Sequence, residues 1–241
     1  MKLKFFFLLL LVCLTSCKLV SIGQESAKTL TSNPMLGTVG SFQDDIISSS
    51  FNEAGAPEFK GKIKLSVEKV FFNKQTLKQY NNKTLNKENV LRIVDSLDLN
   101  PSYLKLEISD KVGFMNTLNN AKNKDLKNYI EITRDKTILT SVWMYFPEEF
   151  ANLLEKAKEL YLINNHKSSY SIEVLNMDNT RQILSVKEGT VFGYNFSGFC
   201  WTENYKHEAV IAAFREVNEP CPGNTKKNSE KVTSKDLFDN L

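Results

Sequence analysis

The chain has 241 residues, of which 41% are hydrophobic, 24% charged and 11% aromatic, a globular composition that excludes collagen-like, wholly disordered and multi-span membrane classes. That length makes one domain or at most two, with ample chain to bury a core. The formal net charge is only +3 and rests on 27 lysines against 4 arginines, so the chain has no general electrostatic claim on nucleic acid, and none is expected as a partner.

Lys2 and Lys4 precede an apolar run from Phe5 to Val12, too short for the roughly 20 residues of a membrane-crossing helix. A basic start followed by a short apolar stretch is the pattern of a secretory signal peptide. It ends on Leu14-Thr15-Ser16-Cys17: an aliphatic residue, two small ones and a cysteine. This resembles the lipobox of bacterial lipoproteins, and it covers residues 1–17 only. The resemblance implies cleavage before Cys17, a diacylglycerol on the Cys17 thiol and an acyl group on the new amino terminus, with no other cofactor. Cys13 fits less well because it follows the bulky Val12. Each buried methylene contributes roughly 0.8 kcal/mol, so two or more acyl chains anchor a protein stably. Loss of residues 1–16 removes two lysines and no acid, leaving 29 basic against 28 acidic residues.

The expected location is therefore the cell envelope, lipid-anchored outside the cytoplasm. Residues Lys18 to Ile22 carry no acid and so lack the acidic signals that resemble inner-membrane retention or surface export; the periplasmic face of an outer membrane is the expected side. From Cys17 to Pro57 the chain is rich in Ser, Thr, Gly and Asn and reads as a lipidated N-terminus and flexible tether, with a short helix near Phe42 to Phe51 as the alternative. Residues 58–222 read as one domain, and 223–241 as a loose polar tail.

Within the domain, Ile63, Leu65 and Val67 alternate with polar residues as a strand that runs on to Phe72. A helix is expected from the N-cap Asn86 through Val90, Ile93, Val94 and Leu97, ending at Asn100-Pro101. Leu104, Leu106 and Ile108 form a strand, and Asp110 to Leu118 a short helix that Gly113 weakens. Asn119 to Asn128 reads as a loop, followed by a hairpin of Tyr129–Thr133 and Thr137–Phe146. Pro147, Glu148 and Glu149 open a helix whose apolar stripe is Phe150, Leu153, Leu154, Ala157 and Tyr161. A meander follows: Tyr170 to Val174, Ile183 to Val186, and Thr190 to Trp201, with Phe192, Tyr194 and Phe196 on one face and Phe199 and Trp201 on the other. His207 to Val217 reads as a last helix. The fold class expected is α+β, a largely antiparallel sheet with helices packed on one face.

After processing, Cys200 and Cys221 are an even pair in an oxidising compartment and are expected to form a disulfide. Cys200-Trp201 resembles the cysteine–tryptophan pair of papain-like proteases, but it stands near the C-terminus with His207 only seven residues on, so no catalytic residue is assigned from it. His166 and His207 have no metal-ligand spacing, and no metal is expected. Glu203 and Glu208 flank His207 as the least improbable acid/base group. The functional expectation is a membrane-anchored, non-catalytic binding or interaction module for an envelope protein, cell-wall polymer or lipid. It would present an exposed aromatic patch of several hundred Å² drawn from Trp143, Tyr145, Tyr194 or Trp201. The alternative is an envelope hydrolase whose site is assembled only in three dimensions.

Overall fold

A computed structural model describes residues 27–44, 49–59, 61–84, 101–133, 135–165 and 169–233. The helix expected at Asn86 to Leu97, Cys17 and His166 lie outside these residues. Among the described residues ten strands form one sheet: β1 (Val39–Asp44), β2 (Ser49–Gly55), β3 (Lys62–Phe71), β4 (Ser102–Ile108), β5 (Thr137–Tyr145), β6 (Glu159–Asn165), β7 (Ser169–Leu175), β8 (Arg181–Ser185), β9 (Thr190–Glu203) and β10 (Ala209–Glu216). The helices are α1 (Lys74–Lys83), α2 (Lys111–Leu118), α3 (Lys124–Ile132), α4 (Glu148–Glu155) and α5 (Glu230–Thr233). The strand order is β10-β9-β5-β4-β3-β6-β7-β8, with β1 joining β5 and β2 joining β1. All these pairings are antiparallel, so the architecture is α+β with a largely antiparallel sheet.

Local chemistry accounts for the elements that pattern reading anticipates. In β3, Ile63 and Leu65 are buried while Lys62 and Lys64 stay exposed. Lys62 pairs with Glu173 of β7, and Lys64 with Glu159 of β6 at 2.8 Å. The Asp110 carboxylate caps α2 by accepting the Gly113 N–H at 2.8 Å. A Cβ on Gly113 would stand 2.1 Å from that carboxylate; the glycine that weakens the helix by propensity is what lets its cap approach. α4 starts after Pro147 with Glu148 and Glu149 in its first turn, where the helix dipole favours acids. It stops at Glu155 and does not continue to Tyr161, because Leu160 and Leu162 alternate into the core as β6.

Four expectations are corrected. Residues 39–55 are not tether or helix but a strand pair, with Phe42 opposite Phe51 and both rings against Phe196, at 5.5 and 4.8 Å. Gly40 is needed there, because a Cβ would meet the Asn52 carbonyl at 2.3 Å. The segment before it is also tied to the sheet: the backbones of Lys28 and Tyr194 exchange two hydrogen bonds of 3.0 Å, and Gly37 N–H donates to the Leu139 carbonyl at 2.8 Å. The stretch read as loop and strand, residues 119–133, is a single 3-10 turn and α3, because Leu126 and Ile130 four residues apart face the core. The stretch read as a last helix is β10, whose Ala-rich sequence yields to pairing along the 14-residue β9. Finally, residues 223–233 pack onto the domain: Lys226 and Trp201 exchange backbone bonds of 2.7 and 2.8 Å, and Ser229 Oγ donates to the Glu131 carbonyl at 3.0 Å.

Two apolar clusters lie against the sheet. The larger holds Leu65, Leu104, Leu106, Ile108, Val142 and Met144 together with Phe114, Leu118, Ile130 and Leu154 from α2, α3 and α4. The smaller is aromatic: Phe72, Tyr80, Tyr103, Trp143 and Phe192, with Tyr145 packed against it. Consecutive strand residues point to opposite faces, so Tyr103 and Leu104 put the two clusters on opposite sides of β4. The Tyr80 ring of α1 packs on Tyr145 at 5.1 Å and Phe72 at 5.6 Å. Helices confined to one face are therefore not confirmed.

Two tyrosines tie loops to this sheet. Tyr170 donates to the Pro57 carbonyl at 2.8 Å, and Tyr194 to Asn33 Oδ1 at 3.1 Å and the Ser32 carbonyl at 3.3 Å. Burial first, and then the nearby acids Glu58 and Glu53 respectively, push both hydroxyls well above the ordinary tyrosine value. A group whose folded pKa is raised contributes stability that is whole below its unfolded value near 10 and is lost as pH climbs toward the folded one. Half-buried Lys83, with its pKa lowered by burial, acts in the opposite sense over an overlapping window, while Tyr80, pushed up by burial and then by Tyr145, adds to the tyrosine side. Urea unfolding should therefore show stability falling above about pH 10, with Tyr170 and Tyr194 each contributing up to about 1.4 kcal/mol per pH unit to the fall. Tyr170→Phe and Tyr194→Phe should each flatten that fall, and an unchanged alkaline slope in both would contradict this assignment.

Candidate functional site

The aromatic residues singled out in the sequence do not form a surface. Trp143, Tyr194 and Trp201 are buried, at 5%, 0% and 3% exposure, and Tyr145 packs against the aromatic cluster. The strand faces are also dealt differently than alternation suggests. Phe192 joins the aromatic cluster and Tyr194 the larger one, because the β5–β9 ladder shifts register between Trp143 and Met144. Trp201 and Phe199 do border a small cleft of about 90 Å³ beside α3 and residues 227–230, well below the roughly 300–1,000 Å³ of ligand pockets.

The acid/base candidates share one hairpin tip. Glu203 ends β9, and its carboxylate contacts His207 Nδ1. Asn204 Oδ1 accepts from the N–H groups of Lys206 at 2.8 Å and Glu208 at 3.0 Å, and its amide donates to Glu208 at 3.1 Å. His207 adopts a positive φ of 61° and its side chain is 69% exposed. The three side chains therefore shape a solvent-facing turn and do not line the cleft beside Trp201. Nor do the described residues bring together three or more His, Cys, Asp or Glu as a metal cluster.

Cys200 and Cys221 are paired as a disulfide with Cα atoms 5.7 Å apart. It joins β9 to the segment after β10.

A larger concavity lies elsewhere, a cavity of about 710 Å³ lined from seven adjacent strands, β9 to β8. Its floor is Leu65, Leu106, Val142, Met144, Leu162 and Ile172, each 4% exposed or less. Its rim is Met35 and Leu36 of the segment before β1, and Val186 and Val191 on either side of Gly189. The charged groups and Asn33 sit at the outer edge: Asn33 and Lys187 are exposed and Lys83 is half-buried, while the hydroxyl residues Ser171 and Tyr170 are buried in the lining. Among the described residues the lining contains no Asp, Glu, His or Cys. Lys83 Nζ donates to the carbonyls of Leu30 at 2.7 Å and Ser32 at 3.4 Å, and burial lowers its pKa. Tyr194 holds the rim from below through its bonds to Asn33 and Ser32; it positions the site and does not line it. No signal in the sequence marks Lys83, which stands in an ordinary polar helix. The floor residues are legible as core strands but not as a cavity wall.

No protein-family model, no curated protein and no solved structure matches this chain.

The disulfide closes a loop of 21 residues' separation, which the chain-entropy model values at about 3 kcal/mol. Reduction, or Cys221→Ser, should lower the unfolding free energy by that amount in denaturant titration. A change under about 0.5 kcal/mol would show that the bond constrains little.

Proposed function

We propose that this chain is an envelope lipoprotein, anchored by lipid on Cys17 at the periplasmic face of an outer membrane, whose domain is a non-catalytic binding module. The cavity of about 710 Å³ is its binding site. That single feature carries the reading: its volume falls within the roughly 300–1,000 Å³ of small-molecule sites, with an apolar floor and few polar groups at the edge. General acid–base or nucleophilic hydrolysis needs a carboxylate, imidazole, thiol, activated hydroxyl or neutral amine beside the substrate. Among the described residues the lining offers hydroxyls of Ser171, Ser185, Thr190 and Tyr170 but no carboxylate or imidazole to activate them, and the Lys83 amine is engaged as a donor to the Leu30 and Ser32 carbonyls; this favours binding over hydrolysis. The exposed Glu203–His207 pair stands on a convex hairpin tip, which offers a substrate no enclosure.

The segment from Ala27 to Leu36 links the two halves of the proposal, since it leads from the anchor side of the sequence directly to the cavity rim. A tethered site of this kind is suited to holding a ligand near the bilayer. The test is purification of the full chain from its own membranes, followed by solvent extraction and mass analysis. The reading expects about one equivalent of a small apolar-tailed molecule, diminished at least tenfold in a Val142→Trp variant that fills the floor. It also expects Cys17→Ser to lose the acyl mass and leave the membrane fraction. A wild-type chain free of any such molecule, or Cys17→Ser still sedimenting with membranes, would overturn the corresponding half.

A further inference from the structure

Charge compensation at the cavity edge is one-sided. The buried acid of the domain, Glu173, has cationic partners: Lys62, and Arg181 at 3.8 Å. Lys83 has none. Among the described residues its ammonium meets only the neutral carbonyls of Leu30 and Ser32, although an ammonium carries three donors and no acceptor. The other charged residue of the lining is again a lysine, Lys187, and no acid is present among the described residues. A half-buried cation lacking a counter-charge, set where an apolar floor gives way to solvent, is a preorganised seat for an anion.

The floor specifies the remainder of the ligand. Five adjacent strands, β5-β4-β3-β6-β7, contribute to it, and strand spacing of ~4.8 Å makes the distance from β5 to β7 roughly 19 Å along a flat sheet. The exposed area at the rim is half-buried Met35, Val186 and Val191, and methionine adapts readily to ligands of varying shape. We propose that the cavity takes a single-chain anionic amphiphile, its hydrocarbon lying along the Leu106–Met144–Leu162 floor and its anionic head meeting the Lys83 ammonium. The inference rests on the binding-module reading and adds the ligand's chemical class and its orientation.

The test is native mass spectrometry of the full chain released from a non-ionic detergent after equilibration with palmitate, hexadecyl phosphate, hexadecanol or hexadecylamine. The two anions should bind at least tenfold more tightly than hexadecanol, with hexadecylamine weakest. If palmitate outranks hexadecyl phosphate the head is a carboxylate, and the reverse order indicates a phosphate monoester. Lys83→Gln should bring the anions to within about threefold of hexadecanol while leaving hexadecanol binding unchanged. Hexadecanol equal to the anions in the wild-type chain, or an unaltered preference in Lys83→Gln, would overturn the proposal while leaving the binding-module reading in place. Failure of all four amphiphiles to bind would overturn both. Should Lys83→Gln fail to fold, the wild-type ranking of anion, alcohol and amine decides alone.

Discussion

The fold is organised by the need to cover β5 on both faces. Of its nine residues from Thr137 to Tyr145, all but the last are buried, a run that reads as a central strand and is inserted between β4 and β9. One face delivers Val142 and Met144 to the larger cluster, and the other delivers Trp143 and Tyr145 to the aromatic one. The aromatic side is closed by α1, with Tyr80 and Phe72 packed over Phe192. The opposite side is closed by α2, α3 and α4 only in part, and the remainder is the cavity. Everything proposed about function depends on that incomplete cover.

The segment before β1 acts as a wall. Backbone bonds tie Lys28 to β9 and Gly37 to Leu139, and Tyr194 and Lys83 fasten the residues between them. These contacts explain why Tyr194, the side chain most completely removed from solvent among the aromatic candidates, matters without touching a ligand. They also place the half-buried Lys83 ammonium at the rim against neutral carbonyls, which is costly for a stand-alone domain. A residue that is unfavourable for stability and well placed for binding is the usual signature of a functional position.

Legibility from sequence followed the strength of local pattern. β3, β4 and the β7 to β9 meander announce themselves by period-two alternation, α4 by Pro147-Glu148-Glu149, and the disulfide by cysteine arithmetic. The misread segments have weak or conflicting local signals. The Tyr129 to Thr133 stretch is rich in β-formers yet becomes α3 because Leu126 and Ile130 find the core together. The Ala-rich stretch from Ala209 has helical propensity and becomes β10 because β9 offers a long unpaired edge and the Asn204 turn reverses the chain. The Ser- and Gly-rich stretch from Val39 resembles linker in composition, but Phe42 and Phe51 need a third ring, Phe196, some 145 residues away to make them a hairpin. The cavity was invisible for the same reason. Floor positions such as Leu106 and Leu162 look like any core residues, and Lys83 acquires meaning only where the fold places it.

Methionine methyl NMR offers the most direct test of the central claim, because the side chains are already distributed as the account requires. Met144 and Met35 line the cavity, whereas Met177 is 73% exposed in the turn after β7. On titration with palmitate, the Met144 and Met35 methyl resonances should shift and saturate together while Met177 stays fixed. Movement of Met177 alone, or no movement at Met144 under saturating ligand, would contradict the account.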